Sequence, residues 1–410
     1  MKGLKKINSC PPPISTSVPG SFAWKTIRRR KPAIVKEVLA NNTLDKEVRG
    51  QLRSLQEELL LPGTVSNPFA EYQFDPGMFA AEEIEVWKGE LNTYAGHSWL
   101  DLPWYFAESF FYLKLLFAFG YYQHGSASCG RDPFALIKTR ELIMDGGGKD
   151  IAVRIINQLN TTAAEEALQL LLYYSLWGNR MDLSYRQVAD EYREREVAQE
   201  RGLLLIDDSQ ALVEILRGAA GNLEIVLDNS GSELVCDLLL VSRLLRQRPN
   251  LKATLHVKKG PFYVSDALKS DVLQTIGFLS GHTDVRVAAE GKKLEQAVKG
   301  KNLRLKEHFF WNGPPHFTDL PLEIREHFSA ADLVIFKGDA NYRRLLSDRS
   351  WEPFYSMAEI TDYFPGPLAV LRTMKSDVVV GLNKDQLESL ETEDPEWKIN
   401  GRRGIIQYVP

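Results

Sequence analysis

The stretch NLEIVLDNSGSELVCDLLLVSRLLRQ, residues 222–247, decides the fold. A run of Leu, Ile and Val stops abruptly at Asp228 and Asn229. Beyond Gly231 the apolar residues recur three and four apart, the period of a helix with one buried face. The pattern is therefore strand, polar turn, helix. Ser230 and Glu233 stand at capping-box spacing and predict a helix that starts at this turn.

The same texture extends outward from Gly202 to the C-terminus. LLLID (203–207) precedes the stretch; LKATLHVK (251–258), TDVRVAA (283–289), ADLVIFK (331–337), LAVLRT (368–373) and VVVG (378–381) follow as strand candidates, with a helix expected from about Val264. Apolar runs this short, alternating with helices, indicate an α/β fold with a mostly parallel sheet buried on both faces. The residues before Gly202 read differently. TIRRRKPAIVKEVLANN (26–42), TLDKEVRGQLRSLQEELL (43–60, with Thr43 as N-cap), LPWYFAESFFYLKLLFAFGYY (102–122) and AAEEALQLLLYYSLWGNR (163–180) all have helical spacing. Three portions follow: 1–20, an extended or disordered arm rich in Pro and Ser; 21–201, helical; and 202–410, α/β.

Composition narrows the function classes. Apolar residues are 44% and charged residues 25% of 410, ordinary for a globular chain. A net charge of -4 gives no reason to expect a nucleic-acid partner. Cys10, Cys129 and Cys236 are scattered and odd in number, which argues against a disulfide framework and a structural zinc site and fits a reducing compartment. The basic N-terminus has no apolar core of a secretory signal, and the run 110–122 is too short to span a bilayer and contains Lys114. The cytoplasm is the expected compartment, with no membrane partner.

In parallel α/β sheets ligands bind beyond the carboxyl ends of the strands. Four strand candidates end in polar turns. The first offers Asp228 and Asn229, hard oxygen donors suited to a divalent cation. The second, KKGPFYVSD, brings Asp266 one strand–helix unit later, at the same edge of the sheet if the strands are adjacent. The third, FKGDANYRRLL, has a glycine turn followed by Asp339, Ala340, Asn341, Tyr342 and Arg343, suited to an anion at a helix start. The fourth, RTMK, supplies Arg372 and Lys375. Asn179, in LWGNRMDLS, and Arg30, in the run Arg28-Arg29-Arg30, are further candidates. Each turn read alone is an ordinary helix cap or a solvated charge; their coincidence favours a metal and phosphate site. The motifs H-E-x-x-H, G-x-x-x-x-G-K-[ST] and G-x-S-x-G are absent.

Together DNSGSEL, KKGPFYVSD, FKGDANYRRLL and RTMK resemble the metal-dependent damage-control phosphatases, and among them the subfamily III sugar phosphate phosphatases with an Arg-Thr-x-Lys motif. SFAWKTIRRRKP, WYFAESFFY and LWGNRMDLS extend the resemblance from about Ser21 to about Val380. It implies a three-layer α/β/α core with a helical N-terminal portion. It implies metal ligation by Asp228, Asn229 and Asp266, and substrate contacts from the turn 339–343 and from Lys375. It also implies hydrolysis of phosphorylated metabolites, fructose 1-phosphate and fructose 6-phosphate among them, with Mn²⁺, Co²⁺ or Ni²⁺ preferred and Mg²⁺ as a further option. Ala340 departs from the family's Leu, Tyr263 from its Phe, and Lys31 from an apolar residue before Pro32.

The chemistry expected is metal-assisted phosphoryl transfer to water, with Asp228 and Asp266 at the metal and Asp339 as a base or water-orienting group. A D-x-D nucleophile pair is missing, since Ser230 stands two residues after Asp228. Two alternatives are an S-adenosylmethionine-dependent carboxyl methyltransferase, an activity also assigned within the family, and a non-catalytic sugar-phosphate-binding protein. The partner in every phosphatase reading is a small-molecule phosphate ester; oligomeric state is not readable.

Overall fold

The computed structural model describes residues 10–61, 63–178, 201–218 and 221–410. Seven strands occur among them: β1 (Leu204–Asp207), β2 (Asn222–Val226), β3 (Lys252–Lys258), β4 (Leu303–His308), β5 (Leu333–Lys337), β6 (Leu368–Thr373) and β7 (Gly404–Val409). They form one sheet in the order β1-β7-β6-β5-β2-β3-β4. Every neighbouring pair is parallel except β6 and β7.

Strand periodicity sends alternate residues to opposite faces, and both faces are dry. Leu223, Ile225, Leu333, Ile335 and Leu371 join one core with helices Gly148–Thr161, Ala167–Trp177 and Ser232–Gln247. Val226, Val334, Phe336 and Val370 join the other, with Phe310, Trp311, Phe328 and Trp351. That is the three-layer α/β/α arrangement. A third core belongs to the helical portion and is centred on helix Trp104–Phe119, every residue of which is buried. Phe262, from the turn after β3, inserts into this third core and ties it to the sheet. No helix among the described residues is long and apolar enough to cross a membrane.

Several local expectations are corrected. The helix after β2 begins at Ser232 with Gly231 in the cap position; the Ser230 hydroxyl caps nothing, and Glu233 accepts from Asn229 instead. TDVRVAA is not a strand. Asp284 caps helix Val285–Lys299, whose buried Val287, Glu290, Gly291 and Leu294 have helical spacing. VVVG is buried but irregular. Its backbone bonds lie outside the sheet: Arg372 donates to Val378 O, Val380 N–H donates to Tyr342 Oη, and Gly381 N–H donates to Tyr355 O. The helix expected from Val264 starts at Lys269, and Asp45, not Thr43, caps helix Lys46–Leu60. Residues 10–15 run extended, residues 16–20 form turns, and the segment is tied down: Ile14 N–H donates to Asp348 O and Ile14 O accepts from Trp104 N–H, while the buried Thr16 bonds to Leu102.

Candidate active site

Strand order locates the crevice. β3 and β4 add to one side of β2, β5 and β6 to the other, so the chain switches direction between β2 and β5. Ligands of open α/β sheets bind outside the strand ends at such a switch point.

Asp228 and Asn229 leave β2 at this point. The turn after β3 folds back against them: Ala267 N–H donates to Asp228 O (2.8 Å) and Ser230 N–H to Ser265 O (2.7 Å), so Asn229 faces Asp266 across a short antiparallel bridge. Burial pushes the Asp228 carboxyl well above the usual carboxylate range, and Asp266 and Glu233 push it further, against the pull of Lys375 and Lys258. Asp266 is raised too, by burial first; Lys258, at 3.3 Å, opposes the shift.

From the other side comes Gly338, the first residue after β5, with φ +84°. A Cβ there would sit 2.0 Å from Asp228 Oδ2, so only glycine leaves the carboxylate its place. Two crowded acids in a glycine cradle, with the Asn229 side chain beside them, carry an excess of negative charge that a hard divalent cation answers. Among the described residues no group of three His, Cys, Asp or Glu side chains is arranged to hold a metal ion; what stands at this turn is two carboxylates and one amide.

Asp339, next in sequence, is clamped. Its Oδ1 accepts from Arg372 (2.7 and 2.8 Å) and from the Ser376 hydroxyl (2.9 Å). Among the described residues no donor reaches its Oδ2. Arg372 is itself wholly buried, stacked over Tyr342 and bonded to Val378 O and Ser376, so it holds Asp339 and does not reach the cavity.

A cavity of about 140 Å³ brings together Asp228, Asn229, Asp266, Asp339, Ala340, Arg343, Lys375 and Arg30. Lys375 and Arg30 are exposed and make no hydrogen bond or ion pair through their side chains to any described residue. Arg30 closes a π-helical segment, Thr26–Arg30, a local geometry that recurs at functional sites. Its neighbour Arg28 is spent on Leu59 and Leu60 carbonyls. Arg343 lines the cavity but is already committed: it grips Asp348 with two bonds (2.7 and 2.9 Å), Glu108 with a third (2.6 Å), and stacks 3.3 Å above the Trp104 ring. Asn341 and Tyr342 turn inward, Asn341 to Lys337 O and Tyr342 to Val380 N–H, so neither side chain lines the cavity. Asn179 lies outside the described residues.

Sequence reasoning missed the wall contributed by the helical portion: Phe22, Trp104, Glu108 and Tyr112. Glu108 is buried between Lys31 (2.8 Å) and Arg343. These two cations hold its carboxyl down at about 2 against its own burial. Burial in turn lowers the Lys31 ammonium to about 8 in spite of Glu108. Tyr263 also lines the cavity, in a left-handed conformation (φ +62°) unusual for a bulky residue and typical of strain kept at functional sites. A larger cavity, about 370 Å³, lies near Asn302 at the start of β4; its cations Arg246 and Lys293 are neutralised by Glu290.

The profile of the damage-control phosphatase ARMT1-like domain matches residues 26–390. The chain belongs to that family. Proteins named damage-control phosphatase ARMT1 are similar along nearly its whole length: the one from Danio rerio is 28% identical and covers 97% of both chains, and the one from Homo sapiens is 27% identical over 95% of this chain and 96% of its own. A solved structure of a DUF89 family protein from Pyrococcus horikoshii is 16% identical, covers 94% of this chain and 96% of its own, and superposes with a TM-score of 0.49. The matched span of the ARMT1-like domain runs from Thr26 through Leu390, and so includes Arg30, Glu108 and all four strand-end turns.

Proposed function

We propose that this ARMT1-like chain is a divalent-metal-dependent phosphatase that hydrolyses phosphate monoesters of small metabolites, with fructose 1-phosphate and fructose 6-phosphate as representative substrates. The observation that carries the proposal is one cavity at the switch point where two mutually crowded carboxylates face an unpartnered ammonium. The anionic side suits a cation and the cationic side suits the phosphate that the cation would share.

Asp228, Asp266 and the Asn229 oxygen are the ligands in this reading, with Mn²⁺, Co²⁺ or Ni²⁺ preferred to Mg²⁺. The bound cation supplies a Lewis acid for a phosphoryl oxygen and lowers the pKa of coordinated water. Lys375 binds the phosphate as a point charge and stabilises negative charge on its equatorial oxygens during transfer. Asp339, fixed through Oδ1 by Arg372 and Ser376, offers Oδ2 to orient the attacking water or accept its proton. Arg30 reaches the far end of the substrate from the helical portion. Arg343 acts at one remove, anchoring Trp104 and Glu108 in the wall.

The test is phosphate release from a sugar-phosphate panel, using protein stripped with chelator and reloaded with each of the four metals. Reloading is expected to restore turnover. Asp266→Asn should lower kcat by about 10³-fold, the equivalent of losing about 4 kcal/mol of transition-state stabilisation. No phosphate release with any metal would overturn the proposal. Undiminished turnover in Asp266→Asn would remove Asp266 from the site. The methyltransferase reading has no specific support among the described residues: the strand-end turns hold carboxylates and cations, not a glycine-rich nucleotide loop.

A further inference from the structure

The proposed ligand that needs most explanation is Asn229. A carboxylate binds a cation through either oxygen, but an amide does so only through Oδ1. Its N–H groups, of nearly the same shape, would face the cation if the group turned over. Something must hold the amide one way round.

In this structure both N–H bonds of Asn229 Nδ2 are taken by carboxylates, Asp228 Oδ2 at 2.8 Å and Glu233 Oε2 at 2.9 Å. Its Oδ1 accepts from the Ser265 hydroxyl at 2.5 Å and keeps a second lone pair. Turning the amide over would set its oxygen against two acid oxygens. Glu233, the residue that enforces this orientation, is itself held from behind. The other oxygen, Oε1, lies 3.3 Å from Lys337 Nζ. Lys337 is buried at the end of β5, and its remaining bonds go to Asp237 Oδ1 (2.9 Å), the Ser175 hydroxyl (2.8 Å) and the Ser175 carbonyl. It does not line the cavity, yet it lies immediately before Gly338, the cradle of Asp228. One β5 turn thus fixes Asp228 through glycine and Asn229 through a lysine–glutamate pair.

We propose that Lys337 is a positioning residue for the metal centre, acting through Glu233 to hold the Asn229 amide with its oxygen toward the cation. The proposal rests on the reading that Asp228, Asn229 and Asp266 bind the metal. Groups behind metal ligands typically change affinity by about 10–100-fold when removed. Lys337→Met deletes the cation and keeps the side-chain length. Glu233→Gln keeps the volume but leaves one oxygen where two are needed, for Lys337 and for Asn229.

The measurement is Mn²⁺ binding to the full chain, read as the free aquo-Mn²⁺ signal in electron paramagnetic resonance, with circular dichroism and the metal-free Tm taken for each variant. Lys337→Met and Glu233→Gln are expected to raise the Mn²⁺ Kd by about 10–100-fold while the far-ultraviolet spectrum stays that of the wild type. Asp266→Asn serves as the reference that abolishes binding. If Asp266→Asn loses Mn²⁺ but both folded variants bind it within twofold of the wild type, the positioning role is refuted and the metal site stands. Equal binding by wild type and Asp266→Asn refutes the metal site, and the positioning role with it. A lowered Tm with unchanged Kd marks Lys337 as merely structural, which also refutes the proposal. Should Lys337→Met fail to fold, Glu233→Gln decides.

Discussion

Gly338→Ala is the sharpest single test of the geometry, because the structure gives the size of the disturbance. Gly338 has φ +84°, where an L side chain costs roughly 1–2 kcal/mol. The added methyl would also lie 2.0 Å from Asp228 Oδ2 and 2.1 Å from its Cγ, where real contacts essentially never fall below 3.0 Å. The carboxyl group must therefore retreat by at least about 1 Å, and a misplacement of that size at a reacting centre costs roughly 10²-fold in rate. The backbone has little freedom to compensate, since Asp228 O is bonded to Ala267 N–H and β2 is paired along its length with β5. We expect kcat to fall by about 10²-fold at saturating Mn²⁺, with a Tm lowered by only a few degrees. Gly277→Ala is the control: nothing lies within 4 Å of its added methyl, and inside helix Lys269–Ser280 the change should stabilise by about 0.5–1 kcal/mol without altering turnover. Turnover of Gly338→Ala within threefold of the wild type would refute the placement of Asp228 at the reacting centre.

Three further outcomes follow from the same site. Lys375→Met should lower kcat/KM by roughly 10–100-fold, the worth of a charge-assisted hydrogen bond of about 1.5–3 kcal/mol; an unchanged kcat/KM would take Lys375 out of the site. Arg372→Lys should lower kcat by about 10-fold or more, since an ammonium cannot reach Asp339, Ser376 and Val378 at once as the planar guanidinium does; steady-state kinetics with wild-type KM and kcat would count against the clamp. Asp228 and Asp266 have raised pKa values in the metal-free fold, so the folded state binds protons that the unfolded chain has released. Their contribution is fully present below the unfolded pKa, near 4, and is lost as pH rises through the folded values. Mn²⁺ relieves that repulsion and competes with those protons, so the Tm gain on adding Mn²⁺ should grow from pH 5 to pH 8; a gain that is flat or falls with pH would contradict the reading.

The central strands were legible because burial on both faces leaves a simple mark, a dense apolar run cut off by polar residues. NLEIV, LVIF and LAVL carry that mark, and β2, β5 and β6 lie side by side in the sheet. The edges were not legible. β4 reads LRLKEH and is only partly buried, so its charged residues hid it. TDVRVAA, rich in β-branched residues, became a helix because tertiary packing took Val287, Glu290, Gly291 and Leu294 as one face. β7 fills the slot beside β6 from the far end of the chain and runs antiparallel to it, a pairing that no local pattern announces.

At the site, strand-end logic found the carboxylates, since a polar residue just past a buried strand has few places to go. It could not separate residues that face the cavity from those one shell behind. Arg343 and Arg372 both look like phosphate ligands in sequence, yet Arg343 is consumed by the buried Asp348 and Glu108 and Arg372 by Asp339, and Lys375, two residues past the end of β6, is the strand-end cation left over. The wall from the helical portion was hidden for another reason. Lys31 breaks an apolar expectation before Pro32, and Glu108 is the one acid in the buried helix Trp104–Phe119; each looks like a misfit alone. A buried charge is costly unless paired, so two such misfits in one helical portion are most economically read as partners. The structure pairs them at 2.8 Å and adds Arg343 from the α/β portion to the same carboxylate. That three-residue link sits in the cavity wall and joins the helical portion to the turn after β5. Arg30, next to Lys31, is thereby held in register with Asp339 from more than three hundred residues away in sequence.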